Sequence, residues 1–143
     1  MSFMTWLEEY YPVAAANVNV EDALAHSRRK WPGLRSENLT RHGVYVDKHG
    51  VVMAHGQGHM LGIDSSTCAL CVHHLREQDY KKEWRCKSCP LYTVRGMPCD
   101  RPRMDMMSPP SPWHIWVELR DPEPMIALLD AAIASQENRP KPH

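Results

Sequence analysis

Residues 68–99 read CALCVHHLREQDYKKEWRCKSCPLYTVRGMPC, and all five cysteines of the 143-residue chain fall within these 32 positions. Two Cys-x-x-Cys pairs, Cys68/Cys71 and Cys86/Cys89, stand 14 residues apart, and Cys99 follows ten positions after Cys89. A Cys-x-x-Cys turn brings two thiolates onto one ion while nearby backbone N–H groups point at the sulfurs. Two such turns close a tetrahedral shell of four thiolates, the usual structural zinc arrangement. The spacer falls just short of the usual ~15–20 residues. The expected site is one zinc held by Cys68, Cys71, Cys86 and Cys89, in a central metal-binding module.

Other chemistries use the same residue types. Two disulfides with a spare thiol suit an oxidising compartment. The start MSFMTWLEEYYP, however, carries acidic residues where a signal peptide needs an apolar core, so a reducing cytoplasm is the expected location. An Fe–S cluster also takes four thiolates, although the chain lacks the tight C-x2-C-x2-C run of bacterial ferredoxins. A thioredoxin-like pair needs a βαβ setting that neither Cys-x-x-Cys has. Within the cluster, Cys99 is a further candidate ligand, since Gly96 and Pro98 build a turn before it. His73 and His74, just after Cys71, are candidates too; their plainer reading is a solvated helix start.

Composition narrows the partners. Seventeen basic and seventeen acidic residues cancel, with a pI near 7.1, so no global field draws the chain to nucleic acid or an anionic membrane. The short basic runs His26–Lys30 and Lys81-Lys82 read as solvated faces. No apolar run approaches the ~18 residues of a membrane span.

Along the chain, an α+β fold in one domain (residues 1–143) is expected. Residues 1–43 read as short helices. Met4–Tyr11 forms one, closed by Pro12. Asn19 caps a second over Val20–Trp31, whose inner face is Val20, Leu24, Ser27 and Trp31 and which Pro32-Gly33 stops. Ser36 caps a third over Glu37–His42, with Gly43 in the C′ position. Residues 44–63 read as a β-hairpin, Val44–Val46 and Val51–Ala54 around the turn Asp47–Gly50, with Met60–Ile63 as a candidate third strand. The HGQGH loop between them, His55 to His59, matches no phosphate-binding fingerprint. The metal-binding module spans 64–103. In the C-terminal helical segment, 104–143, Ser111-Pro112 starts one helix and Asp121-Pro122-Glu123 another, with a stripe of Met125, Ile126, Leu129, Ala132 and Ile133.

Cys68/Cys71, Cys86-Lys87-Ser88-Cys89-Pro90-Leu91, Gly96 to Cys99, Ser111-Pro112-Trp113 and Asp121 to Leu129 together resemble small cysteine-rich proteins of tailed phages and prophages, over residues 66–133. That family carries no assigned activity. The resemblance therefore implies a phage or prophage source and a metal site, and no reaction.

Three function classes follow. The first is a non-enzymatic, zinc-stapled module that binds a host or phage protein, with Trp and Met residues as contact surface and no catalytic residue or organic cofactor. The second is a zinc-ribbon-like nucleic-acid binder, using Arg85, Lys87, Arg95, Arg101 and Arg103 with Tyr80, Trp84 and Tyr92 for stacking. The third is a His–metal nuclease, for which CVHHLREQD is a poor match because no Asp-His pair follows the first cysteine turn.

Overall fold

Ser2 opens the first element with a capping box: its hydroxyl accepts from Thr5 N at 3.3 Å, and Thr5 Oγ1 accepts from Ser2 N at 2.7 Å. The computed structural model describes residues 2–56, 58, 60–64, 67–74, 91 and 111–137 (of 73 and 74 the backbone alone). From that cap, helix α1 runs Phe3–Tyr10 and buries Phe3, Trp6 and Tyr10 at a helical spacing. A single-turn 3-10 segment at Ala15–Asn17 leads to the second helical region.

Val20–Trp31 is one helix only in part. Val20–Asp22 is a 3-10 turn, Ala23–Lys30 is helix α2, and Trp31–Leu34 is another 3-10 turn. Asn19 makes no capping hydrogen bond, and Val20 is 54% exposed. Of the expected inner face Leu24, Ser27 and Trp31 are buried and only Val20 is not; the buried face is wider than expected, taking in Ala23, His26 and Lys30 as well. The run His26–Lys30 is not a solvated face. Only Arg28 and Arg29 of its charged residues reach outward. Arg28 pairs with Asp130 at 2.6 Å, and Arg29 donates to the Glu9 and Glu8 carbonyls at 2.6 and 3.1 Å, satisfying the C-terminal end of α1.

Pro32-Gly33 tightens the chain into the 3-10 turn instead of stopping it. The turn lets α1 lie close: a Cβ on Gly33 would sit 2.5 Å from Tyr10 Cγ, and the Gly33 carbonyl accepts the Trp6 indole N–H at 2.9 Å. Helix α3, Ser36–Arg41, is preceded by Arg35 at the cap position, where no side chain caps it. Gly43 follows with φ +69°, the left-handed C′ glycine expected there.

Strands β1 (Val44–Val46), β2 (Val51–Ala54) and β3 (Met60–Gly62) form an antiparallel sheet in that order, with Val44 opposite Ala54 and Val52 opposite Leu61. The hairpin turn is held by Asp47, whose carboxylate accepts from Val51 N and His49 N at 3.0 and 2.9 Å. Helix α4 is Ala69–His74. Helix α5, Pro112–Leu119, starts as expected: Ser111 accepts from His114 N at 3.1 Å, and proline occupies the first turn. Helix α6, Glu123–Glu137, buries Met125, Ile126, Leu129 and Ala132, the expected stripe. Apolar side chains from helices and sheet meet in one cluster, with the Trp31 ring edge-on to Trp116 at 5.4 Å and to Trp113 at 6.3 Å. The fold is α+β, with a small antiparallel sheet and a C-terminal helix. Among the described residues no helix is long and apolar enough to cross a membrane.

Helices α1 and α3 are locked by a polar cluster. Glu9 accepts from Arg41 at 2.7 Å and meets the buried His42 Nε2 at 2.7 Å, while His42 Nδ1 lies 2.9 Å from Thr5 Oγ1. The hydrogen bond from Arg41, then that with His42, lowers the Glu9 carboxyl from 4.5 to about 2. A carboxyl lowered on folding contributes stability above its unfolded pKa, and that contribution is lost as pH falls through the folded value. Denaturant midpoints of wild type and Glu9→Gln are therefore expected to differ at pH 6 and to converge between about pH 4.5 and about 2. A gap of constant size down to pH 2 would show that Glu9 ionisation does not hold the two helices.

Candidate metal centre

Cys68 and Cys71 are brought together at the start of α4. The Cys68 carbonyl accepts from Val72 N at 2.9 Å, so the chain turns into the helix directly after Cys68. Both residues are half-buried thiols. The Cys71 side chain and the Cys71 backbone N–H both direct hydrogen bonds at the Cys68 sulfur. This is the local geometry that a Cys-x-x-Cys turn supplies to a metal-binding thiolate, with one amide aimed at sulfur and the second sulfur beside it.

Helix α2 packs against α4 and adds two buried polar groups, Ser27, expected on its inner face, and Lys30, expected on a solvated one. Ser27 Oγ lies 3.8 Å from Cys68 Sγ. Lys30, 1% exposed, donates from Nζ to the carbonyl of Thr67 at 3.0 Å. The Cys71 thiol, against the opposing cost of burial, holds the Cys68 thiol well below its ordinary range, helped by the Lys30 charge, the Cys71 amide and Ser27. A signal for these residues lay in the sequence: Ala23, Ser27, Lys30 and Leu34 are spaced four, three and four apart, a helical stripe with two polar members.

Thr67 builds the approach to the site. Its hydroxyl donates to the Gly62 carbonyl at 2.6 Å and accepts from Asp64 N at 3.2 Å, tying the end of β3 to the start of α4. His26, beside Ser27 on α2, donates from Nε2 to the Val13 carbonyl at 2.7 Å. Burial lowers its pKa, which favours the neutral ring.

Cys86, Cys89 and Cys99 lie outside the described residues, as do His59 and the basic and aromatic set Tyr80, Trp84, Arg85, Lys87, Tyr92, Arg95, Arg101 and Arg103. His73 and His74 fall on α4. Among the described residues there is no group of three or more histidine, cysteine or acidic side chains placed to hold an ion. His55 lies in the turn just after β2, where its ring stacks on Tyr45 of β1 at 4.5 Å. The tryptophans expected as contact surface are largely core: Trp6, Trp31 and Trp116 are buried, and the exposed apolar side chains include Met4, Met60, Val117 and Leu119.

No protein-family model, curated protein or solved structure matches the chain.

Proposed function

We propose that the chain is a non-enzymatic binding module of phage or prophage origin, acting in the cytoplasm on a host or phage protein. A zinc ion held by Cys68, Cys71, Cys86 and Cys89 staples its middle. The observation that carries this reading is the pair of half-buried free thiols, Cys68 and Cys71, at the start of α4, with the Ser27 hydroxyl 3.8 Å from the Cys68 sulfur. Donors of that kind fit a soft-ligand zinc site: thiolate is the metal-binding form, and an amide hydrogen bond to sulfur is its usual support. When bound, zinc supplies cross-linking of two distant turns. Four thiolates saturate it, which leaves no open position for water and makes the ion a weak Lewis acid.

Metal analysis of protein purified without added metal tests the reading directly. About one equivalent of zinc per chain is expected. Iron with visible absorption, or no metal with intact disulfides, would falsify it. Incubation with DNA, RNA and phosphoesters in the presence of metal is expected to give no cleavage. Cleavage that disappears on replacing His55, His59, His73 or His74 favours the nuclease reading. Salt-sensitive binding of nucleic acid without cleavage favours the zinc-ribbon reading.

A further inference from the structure

Between residues 12–18 and the outer side of α2 lies an open cleft of about 320 Å³. Pro12, Val13 and Val18 line one wall, and Ala25 and His26 line the other. Pro12, Val13 and Ala25 are exposed, so the cleft is an apolar trough at the surface. Two ionic groups also line it, Asp22 just before α2 and Arg29 in its last turn. They are not equivalent. Arg29 is committed elsewhere, because its Nε and Nη2 donate to the Glu9 and Glu8 carbonyls at the end of α1. His26 adds no charge: burial favours the neutral ring, and Nε2 donates to the Val13 carbonyl. The Asp22 carboxylate has no hydrogen bond or ion pair among the described residues. An apolar trough with one unspent carboxylate complements a methylene chain that ends in a cation.

We propose that the cleft takes a lysine side chain from the surface of the partner protein, with its methylenes along Pro12, Val13 and Ala25 and its ammonium at the Asp22 carboxylate. The inference deepens the protein-binding reading above and rests on it. A lysine stem covers apolar surface while its head, a compact charge with three donors, keeps water around it. A wholly apolar side chain would strip water from the carboxylate and return no counter-charge. An acidic one would meet a like charge.

The test titrates the full chain with the capped peptide Gly-Lys-Gly, and with the same peptide carrying ε-acetyl-lysine, while backbone amide resonances are followed. The lysine peptide is expected to move the resonances of Val13, Val18 and Ala25 at roughly millimolar concentration. Asp22→Asn is expected to weaken it about 2–5-fold, the worth of an exposed ion pair, and acetylation of the lysine to do the same. Glu21 is the adjacent exposed acid and does not line the cleft, so Glu21→Gln is expected to leave the affinity nearly unchanged. Ala25→Lys sets an ammonium one turn from Asp22 and is expected to lower the affinity at least as far as Asp22→Asn. Resonances of Val13, Val18 and Ala25 that stay in place overturn the proposal. So does equal weakening by Asp22→Asn and Glu21→Gln, or equal binding of the acetylated peptide. Shifts of the same resonances on concentrating the free chain mean that a second copy fills the cleft, and they overturn it too. Zinc content and the absence of cleavage test the reading above separately, so failure of this site leaves that reading standing.

Discussion

Cys86→Ser is expected to strip the protein of zinc and to unfold the middle of the chain, whereas Cys99→Ser is expected to leave the metal in place. In the proposed site Cys86 belongs to a closed shell of four thiolates. A hydroxyl in its place is a poor ligand for zinc at neutral pH, so the shell drops to three. Structural zinc contributes ~10–16 kcal/mol of apparent binding energy in small metal-dependent folds, and most of that is folding energy. If the three-ligand shell loses the ion, the stability removed is comparable to the ~5–15 kcal/mol that a whole domain usually possesses. Cys99, outside the four-residue set, behaves on this reading as a small apolar side chain whose replacement costs little. The measurement is zinc content after dialysis against a weak chelator, with circular dichroism alongside. Equal loss of zinc from both variants would make Cys99 a ligand and displace one of the four.

Trp6→Ala carries the largest expected effect away from the cysteines. The indole is fully buried between Phe3, at 6.4 Å, and Tyr10, at 5.8 Å, and it donates to the Gly33 carbonyl at 2.9 Å. Truncating a buried tryptophan costs about 3–5 kcal/mol through lost transfer energy and the cavity left behind. The orphaned Gly33 carbonyl lies within that loss or adds to it, since an unsatisfied buried acceptor costs about 1–3 kcal/mol. Gly33 cannot move in to fill the space, because Tyr10 already contacts the position its Cβ would take. Urea denaturation is expected to show a drop of at least about 3 kcal/mol, with Trp6→Phe intermediate because it keeps one aromatic ring and loses the pyrrole half of the indole with its N–H donor. A loss below about 1 kcal/mol would mean that α1 does not close the core.

Much of the framework was legible in the residues themselves. Ser111-Pro112 marks a helix start because serine accepts the orphan amide and proline has no amide to waste. Gly43 ends α3 because the backbone there needs φ +69°. The alternation around Asp47–Gly50 forms a hairpin, and the stripe from Met125 to Ala132 becomes the inner face of α6. Local rules decide each of these, and they involve residues within one or two turns of each other.

The face of α2 was a different matter. From the sequence, Val20, Leu24, Ser27 and Trp31 form an apolar stripe, and His26–Lys30 looks like a charged exterior. In the fold Leu24, Ser27 and Trp31 do face inward, but Val20 sits in a 3-10 turn and is exposed, while His26 and Lys30 are buried. The reason is tertiary. Helix α4 packs against α2 and places the Thr67 carbonyl and the Cys68 sulfur where a lysine and a serine can meet them. Arg28 finds Asp130 across 102 positions of chain, and Arg29 finds the end of α1. Helical periodicity states which residues share a side of α2, but the acceptors and anions that decide which side turns inward come from segments distant in sequence. The Cys-x-x-Cys spacing by itself pairs Cys68 with Cys71; only the packing of α2 against α4 set the Ser27 hydroxyl by the Cys68 sulfur and the buried Lys30 on the Thr67 carbonyl.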